Sequence, residues 1–168
     1  MNPKLNGWAI SEEMFNHIRS FLPEGKTILE LGSGTGTEVL LQHYNVISVE
    51  HNVKWAFHRD GKYHHTMIYA PLKGEDPWYS IENDHVTYNF EGVDLLIIDG
   101  PPNIHRQNIL LSPWLESFVE VIDDIIVDDT HRHSDHKIAR FIIDEYGYEF
   151  FHTGCSEDKN FMHLKKIK

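Results

Sequence analysis

Apolar residues fall along this chain in short dense runs separated by polar stretches, and the runs carry two different periods. Residues 27–31, 46–49, 66–70, 93–99 and 124–128 are brief, mostly apolar and bounded by glycine, proline or acidic residues, the pattern of strands buried in a covered sheet. Between them the spacing becomes helical. Met14, Phe15, Ile18, Phe21 and Leu22 form one face of a helix that Ser11 caps and Pro23 stops. Residues 38–43 have the composition of a second helix opening, 53–60 predict a short helix ended by Gly61, and 106–121 predict a longer one interrupted near Pro113. Ile138, Phe141, Ile142 and Tyr146 mark a last helix over 134–146, closed by Gly147. Residues 148–153 and 160–167 then read as the two strands of an antiparallel hairpin.

This alternation predicts an α/β fold: a Rossmann-like, doubly wound, mostly parallel seven-stranded sheet with right-handed crossovers and an antiparallel C-terminal hairpin. A length of 168 residues suits a single domain over 1–168, with an N-terminal helical segment at 1–25 ahead of a Rossmann-like core at 26–168. Residues 71–92 interrupt the pattern. They are polar, rich in turn formers and carry Trp78 and Tyr79, so they predict either a long functional loop or an added hairpin whose aromatics tuck onto the sheet. Trp8, ahead of the first helix, is either a lid over a ligand or a packing residue.

In an open parallel sheet a ligand lies beyond the carboxyl ends of the strands. Four such ends carry glycine or polar residues directly after an apolar run: Gly32, Glu50, Asp99-Gly100 and Asp128-Asp129-Thr130-His131. The first continues as Gly32-Ser33-Gly34-Thr35-Gly36. Gly32 permits a tight turn, Gly34 lets backbone approach a ligand, and Gly36 lets the following helix pack closely. Glu50 ends the next apolar run, where a carboxylate accepts from ribose hydroxyls. A dinucleotide fingerprint requires a further glycine at position 37, where this chain has Thr37, which counts against a nicotinamide-linked oxidoreductase.

The run Glu30-Leu31-Gly32-Ser33-Gly34-Thr35-Gly36 resembles the first motif of the class I S-adenosylmethionine (SAM) methyltransferases, and Glu50 matches the acid that ends their second strand. The resemblance implies SAM as cofactor. Glu30, Gly32, Ser33, Gly34 and Gly36 would lie along its methionine part, Glu50 on its ribose, and Asp99 and Gly100 beside them. Ile97-Ile98-Asp99-Gly100 together with Val127-Asp128-Asp129 looks most like small-molecule and sugar O-methyltransferases. Asp99-Gly100-Pro101-Pro102 departs from the Asp-Pro-Pro-Tyr signature of amino-group methyltransferases acting on nucleic acids, since a glycine intervenes and Asn103 replaces the aromatic.

The expected activity is therefore O-methylation of a small-molecule or glycan-like hydroxyl, and a SAM-binding protein without turnover is the alternative. Transfer to oxygen requires an in-line acceptor and removal of its proton. His131 is the first candidate base and Asp99 the second, while Arg132 could hold a carboxylate or phosphate on the acceptor. A divalent metal such as magnesium, by the resemblance, would take Asp99, Asp128 and Asp129. The expected third ligand after Asp129 is missing, Thr130 standing there, so the favoured reading has no metal. His131, His133 and His136 do not share one helical face, which disfavours zinc, and His64 and His65 read as structural.

Charge bears on the partner. Fifteen Lys and Arg stand against 26 Asp and Glu, a formal net charge of −11, which argues against a nucleic-acid partner. No apolar run is long enough to span a bilayer and no basic-then-apolar leader opens the chain, so the expectation is a cytoplasmic protein with no membrane contact. The single cysteine, Cys155, excludes an internal disulfide. Oligomeric state is left open.

Overall fold

A computed structural model describes residues 10–80, 90–155 and 159–168. Trp8 and residues 81–89 lie outside them, and with them the reading of Trp8 and of the second half of segment 71–92. Helix α1 (Glu12–Phe21) leads into β1 (Thr27–Leu31), α2 (Thr35–Leu40), β2 (Asn45–Glu50) and β3 (His65–Tyr69). A small hairpin of β4 (Leu72–Lys73) and β5 (Trp78–Tyr79) follows, then β6 (Leu95–Ile98) and a 3-10 helix (Asn103–Leu111). The chain closes with α3 (Pro113–Val121), β7 (Asp124–Val127), α4 (His133–Tyr146), β8 (Tyr148–Cys155) and β9 (Asn160–Lys166).

The seven-stranded sheet has the order β3-β2-β1-β6-β7-β9-β8. All pairings from β3 to β7 are parallel, whereas β9 runs antiparallel between β7 and β8. Strand order therefore reverses beside β1, and β1 and β6 form the centre. Alternate residues feed two cores, as a period of two requires. Ile28, Val46, Leu95, Ile97 and Ile126 face α1 and α2, meeting Met14, Ile18, Leu40 and Leu41. Leu29, Leu31, Val49, Leu96, Ile98, Ile125 and Val127 face α3 and α4, meeting Leu115, Phe118, Ile138 and Ile142. Burial on both faces explains why these strands read as unbroken apolar runs.

One expectation changes. Residues 53–60 form no helix: a single turn hangs on Asn52, whose carbonyl accepts from the N–H of Trp55 and Ala56, and the chain then bends around the buried Arg59. The Arg59 guanidinium donates to the Trp55 and Phe57 carbonyls and so takes acceptors a helix would need. The interruption expected near Pro113 within 106–121 is present: the Ser112 hydroxyl accepts from Trp114 N–H and Pro113 sits at the first helical position, starting α3 afresh after the 3-10 helix. In segment 71–92 the hairpin reading holds for β4 and β5, and Trp78 and Tyr79 are buried, at 8% and 4% exposure.

Candidate active site

The glycine loop leaves β1 through Gly32, whose φ of +98° lies where side chains are strained. Glu30, buried in mid-sheet, accepts from Thr37 Oγ1 at 2.5 Å and from Ser48 Oγ at 2.6 Å. Thr37 Oγ1 in turn accepts from Gly34 N–H at 3.0 Å, so Thr37 ties the loop to the strand beneath it. Ser48 meets His65 Nε2 at 2.9 Å, and His65 Nδ1 accepts from the Arg59 N–H at 2.9 Å. Nδ1 is thus the acceptor, Nε2 carries the proton, and the Ser48 hydroxyl is free to donate to Glu30. Burial raises Glu30 to about 7 and lowers His65 to about 4. His65 is structural, as expected, and its partners are now explicit.

Glu50 is held at the end of β2. Its Oε2 accepts from Ser33 N–H at 2.9 Å and its Oε1 from Asn52 N–H at 2.6 Å. Arg59 Nη1 donates to Ser33 Oγ at 2.5 Å, and its guanidinium stacks over the Phe57 ring at 4.1 Å. The close packing of Gly36 is against Ile10, whose N lies 3.3 Å from where a Cβ would stand, rather than against the sheet.

At the next strand ends an arginine absent from the expected site takes the centre. Arg106, on the 3-10 helix and 2% exposed, donates to Asp135 Oδ1 at 2.9 Å. It also reaches Asp99 Oδ1 at 3.2 Å and Asp129 Oδ2 at 3.4 Å, and donates to the Asp99 and Asp128 carbonyls. The carboxylates of Asp99, Asp128 and Asp129 lie within 4.8 Å of one another. Burial and the neighbouring Asp128 push Asp99 well above the usual carboxylate range, and burial raises Asp128 too. The three acids offer the oxygen donors that magnesium prefers. Arg106 supplies compensating charge to two of them and Lys159 reaches Asp128 Oδ2 at 3.6 Å, while Asp128 Oδ1 and Oδ2 and Asp129 Oδ1 are buried without a hydrogen-bond partner among the described residues.

Asp99, Asp128 and Asp129 are thus brought together, and Gly32 and Gly100 meet backbone to backbone, a Cβ on Gly100 standing 2.9 Å from Gly32 N and Cα. His131 follows β7 in an exposed turn and is not gathered into this cluster. Arg132 extends to Asp129 Oδ2 at 2.8 Å. Sequence reasoning missed Arg106, Asp135, Thr37 and Tyr79. Asp128, Asp129 and Asp135 against the single Arg132 were the signal for a further cation, since buried carboxylates need one.

Solved structures of methyltransferases share this fold. A candidate RNA methyltransferase of Pyrococcus horikoshii aligns with a TM-score of 0.57 at 17% identity, over 99% of this chain and 92% of its own. TrmK of M. capricolum, solved with S-adenosylhomocysteine, gives 0.57 at 10% identity over 95% and 70%. An rRNA methylase of Escherichia coli gives 0.55 at 12% identity over 92% and 62%. No protein-family model and no curated protein matches the sequence. The chain has the fold of the class I SAM-dependent methyltransferases.

These likenesses correct one expectation and loosen another. The exclusion of nucleic acid on the strength of net charge is overturned, because proteins solved as RNA methylases are built on this same sheet. Net charge averages the whole surface, whereas phosphate contact is local. The finer likeness to small-molecule and sugar enzymes does not recur among these neighbours, two of which are described as RNA methylases. Among the described residues no helix is long and apolar enough to cross a membrane.

Proposed function

We propose that the protein is a SAM-dependent methyltransferase delivering the methyl group to a hydroxyl, either of a sugar-like small molecule or within an RNA. The observation that carries this reading is the meeting of the glycine loop, Glu50 and Asp99-Gly100 along one rim of the sheet. A carboxylate has about four acceptor sites. Glu50 spends one on the Ser33 N–H and one on the Asn52 N–H, and His51 Nδ1 stands 2.9 Å from Oε1, so Oε2 keeps a site for a ribose hydroxyl while the carboxylate holds the loop in place.

SAM supplies the electrophilic methyl group when bound. The chain's own residues position it and handle the proton. The loop from Gly32 to Gly36 would receive the methionine part, with Thr37 and Glu30 keeping that loop rigid. His131, exposed after β7, is the first candidate to take the acceptor's proton, and Asp99, whose pKa burial raises, is the second. Arg132 and Lys159 bring positive charge to the end of β7.

The test is calorimetric titration with SAM, S-adenosylhomocysteine and NADH, with and without magnesium, followed by transfer of labelled methyl to oligosaccharides, small alcohols and RNA. SAM binding with silence toward NADH and no magnesium effect is expected. Label on RNA alone would assign a nucleic-acid acceptor, label on the small acceptors the other class. SAM binding with label on none would favour a binding protein without turnover, and absent SAM binding would reject the reading.

A further inference from the structure

We propose that the Tyr79 hydroxyl faces the cationic centre of the bound cofactor and favours SAM over its uncharged product. This rests on the methyltransferase reading above. The β4–β5 hairpin carries Tyr79 over the point where the backbones of Gly32 and Gly100 touch. A Cβ on Gly100 would collide with the Tyr79 hydroxyl as well as with Gly32. Trp78 holds the phenol ring edge-on at 5.0 Å, and Trp114 of α3 stacks on it at 6.1 Å and 17°. The side chain has little freedom to point elsewhere.

Yet the hydroxyl is buried and, among the described residues, has no hydrogen-bond partner. A buried, unpartnered hydroxyl destabilises a fold. Phenylalanine would fill the same space without that cost, so among the described residues nothing uses the oxygen, and a bound ligand can. The charged groups that act on it are the acids Glu50, Asp99 and Glu30 and the single cation Arg106. The surrounding field therefore favours a positive group. Burial also keeps the phenol far above its ordinary pKa, hence neutral, which removes it as a base.

A ligand whose ribose sits on Glu50 and whose far end reaches Asp99 must cross this point. In SAM the atom joined to the ribose C5′ is the sulfonium sulfur, carrying a full positive charge and a methyl group with polarised C–H bonds. The lone pairs of the Tyr79 hydroxyl would serve both. After transfer the sulfur is a neutral thioether, and the methyl group is gone. The attraction therefore disappears with turnover, easing release of product.

The experiment compares wild type with Tyr79→Phe by calorimetry against SAM and S-adenosylhomocysteine, together with the thermal midpoint of the ligand-free proteins. The expected result is SAM affinity weakened roughly tenfold, product affinity within about twofold of wild type, and a ligand-free midpoint unchanged or higher. Unchanged SAM affinity, or equal weakening for both ligands, would overturn the inference while wild-type SAM binding left the methyltransferase reading standing. A wild type silent toward both ligands would reject that reading, and this inference with it.

Discussion

Replacing Arg106 with methionine should leave three carboxylates without their common cation. The guanidinium touches Asp99, Asp129 and Asp135 at 3.2, 3.4 and 2.9 Å, with 3% of its side chain exposed against 5% for Asp129 and 2% for Asp135. Methionine keeps most of the volume, so the loss is electrostatic. Breaking a buried pair from one side costs about 3–5 kcal/mol, and at 2–4 °C per kcal/mol for a domain of this size the thermal midpoint should fall by roughly 6–20 °C. The sign of the pH dependence follows from the acids. Asp99 and Asp128 already titrate above their ordinary values, and Arg106 is among the groups holding them down. Without it they rise further, so the folded variant binds more protons than the unfolded chain. Stability then falls as pH rises through the folded pKa values. Urea unfolding of both proteins at pH 5 and pH 8 should show a larger deficit at pH 8. A deficit below about 1 kcal/mol, or one equal at both pH values, would refute the assignment of Arg106 as the charge that holds these strand ends together.

Other changes probe the remaining links. Thr37→Val keeps the shape but strands the Gly34 N–H and removes a donor from Glu30; it should cost about 1–3 kcal/mol in urea unfolding, with Thr37→Ser restoring most of it. His17 and His65 are both lowered to about 4, so the unfolded chain takes up protons first; stability should decline as pH falls from 6.5 toward 4, and His65→Gln should make that decline shallower. Glu50→Ala should weaken SAM binding by roughly 1.5–3 kcal/mol in calorimetry, and unchanged affinity would remove Glu50 from the ribose. His131→Ala should keep SAM affinity and stop turnover; full activity would pass the role of base to Asp99.

The sheet was legible because parallel strands covered on both faces leave an unmistakable apolar signature. The boundaries of β1, β2 and β7 agree with the runs at 27–31, 46–49 and 124–128 to within about a residue. Segment 53–60 is helical in composition but not in structure for a tertiary reason: Arg59 is committed to a distant partner, Ser33, and the carbonyls it borrows belong to the would-be helix. Net charge misled because it carries no position.

The alternation of strands and helices, the glycine turn and the acids that end the strands were determined by the sequence itself, since period, φ preference and strand-end placement are local properties of the chain. The tertiary structure alone decided what those acids are bonded to. Arg106 lies 29 residues from Asp135 and Thr37 seven from Glu30, and Tyr79 comes to rest on Gly100 from a separate hairpin. Such contacts depend on how the loops fold back over the sheet edge, and buried charges and hydroxyls are satisfied by whatever is brought near, at any distance along the chain.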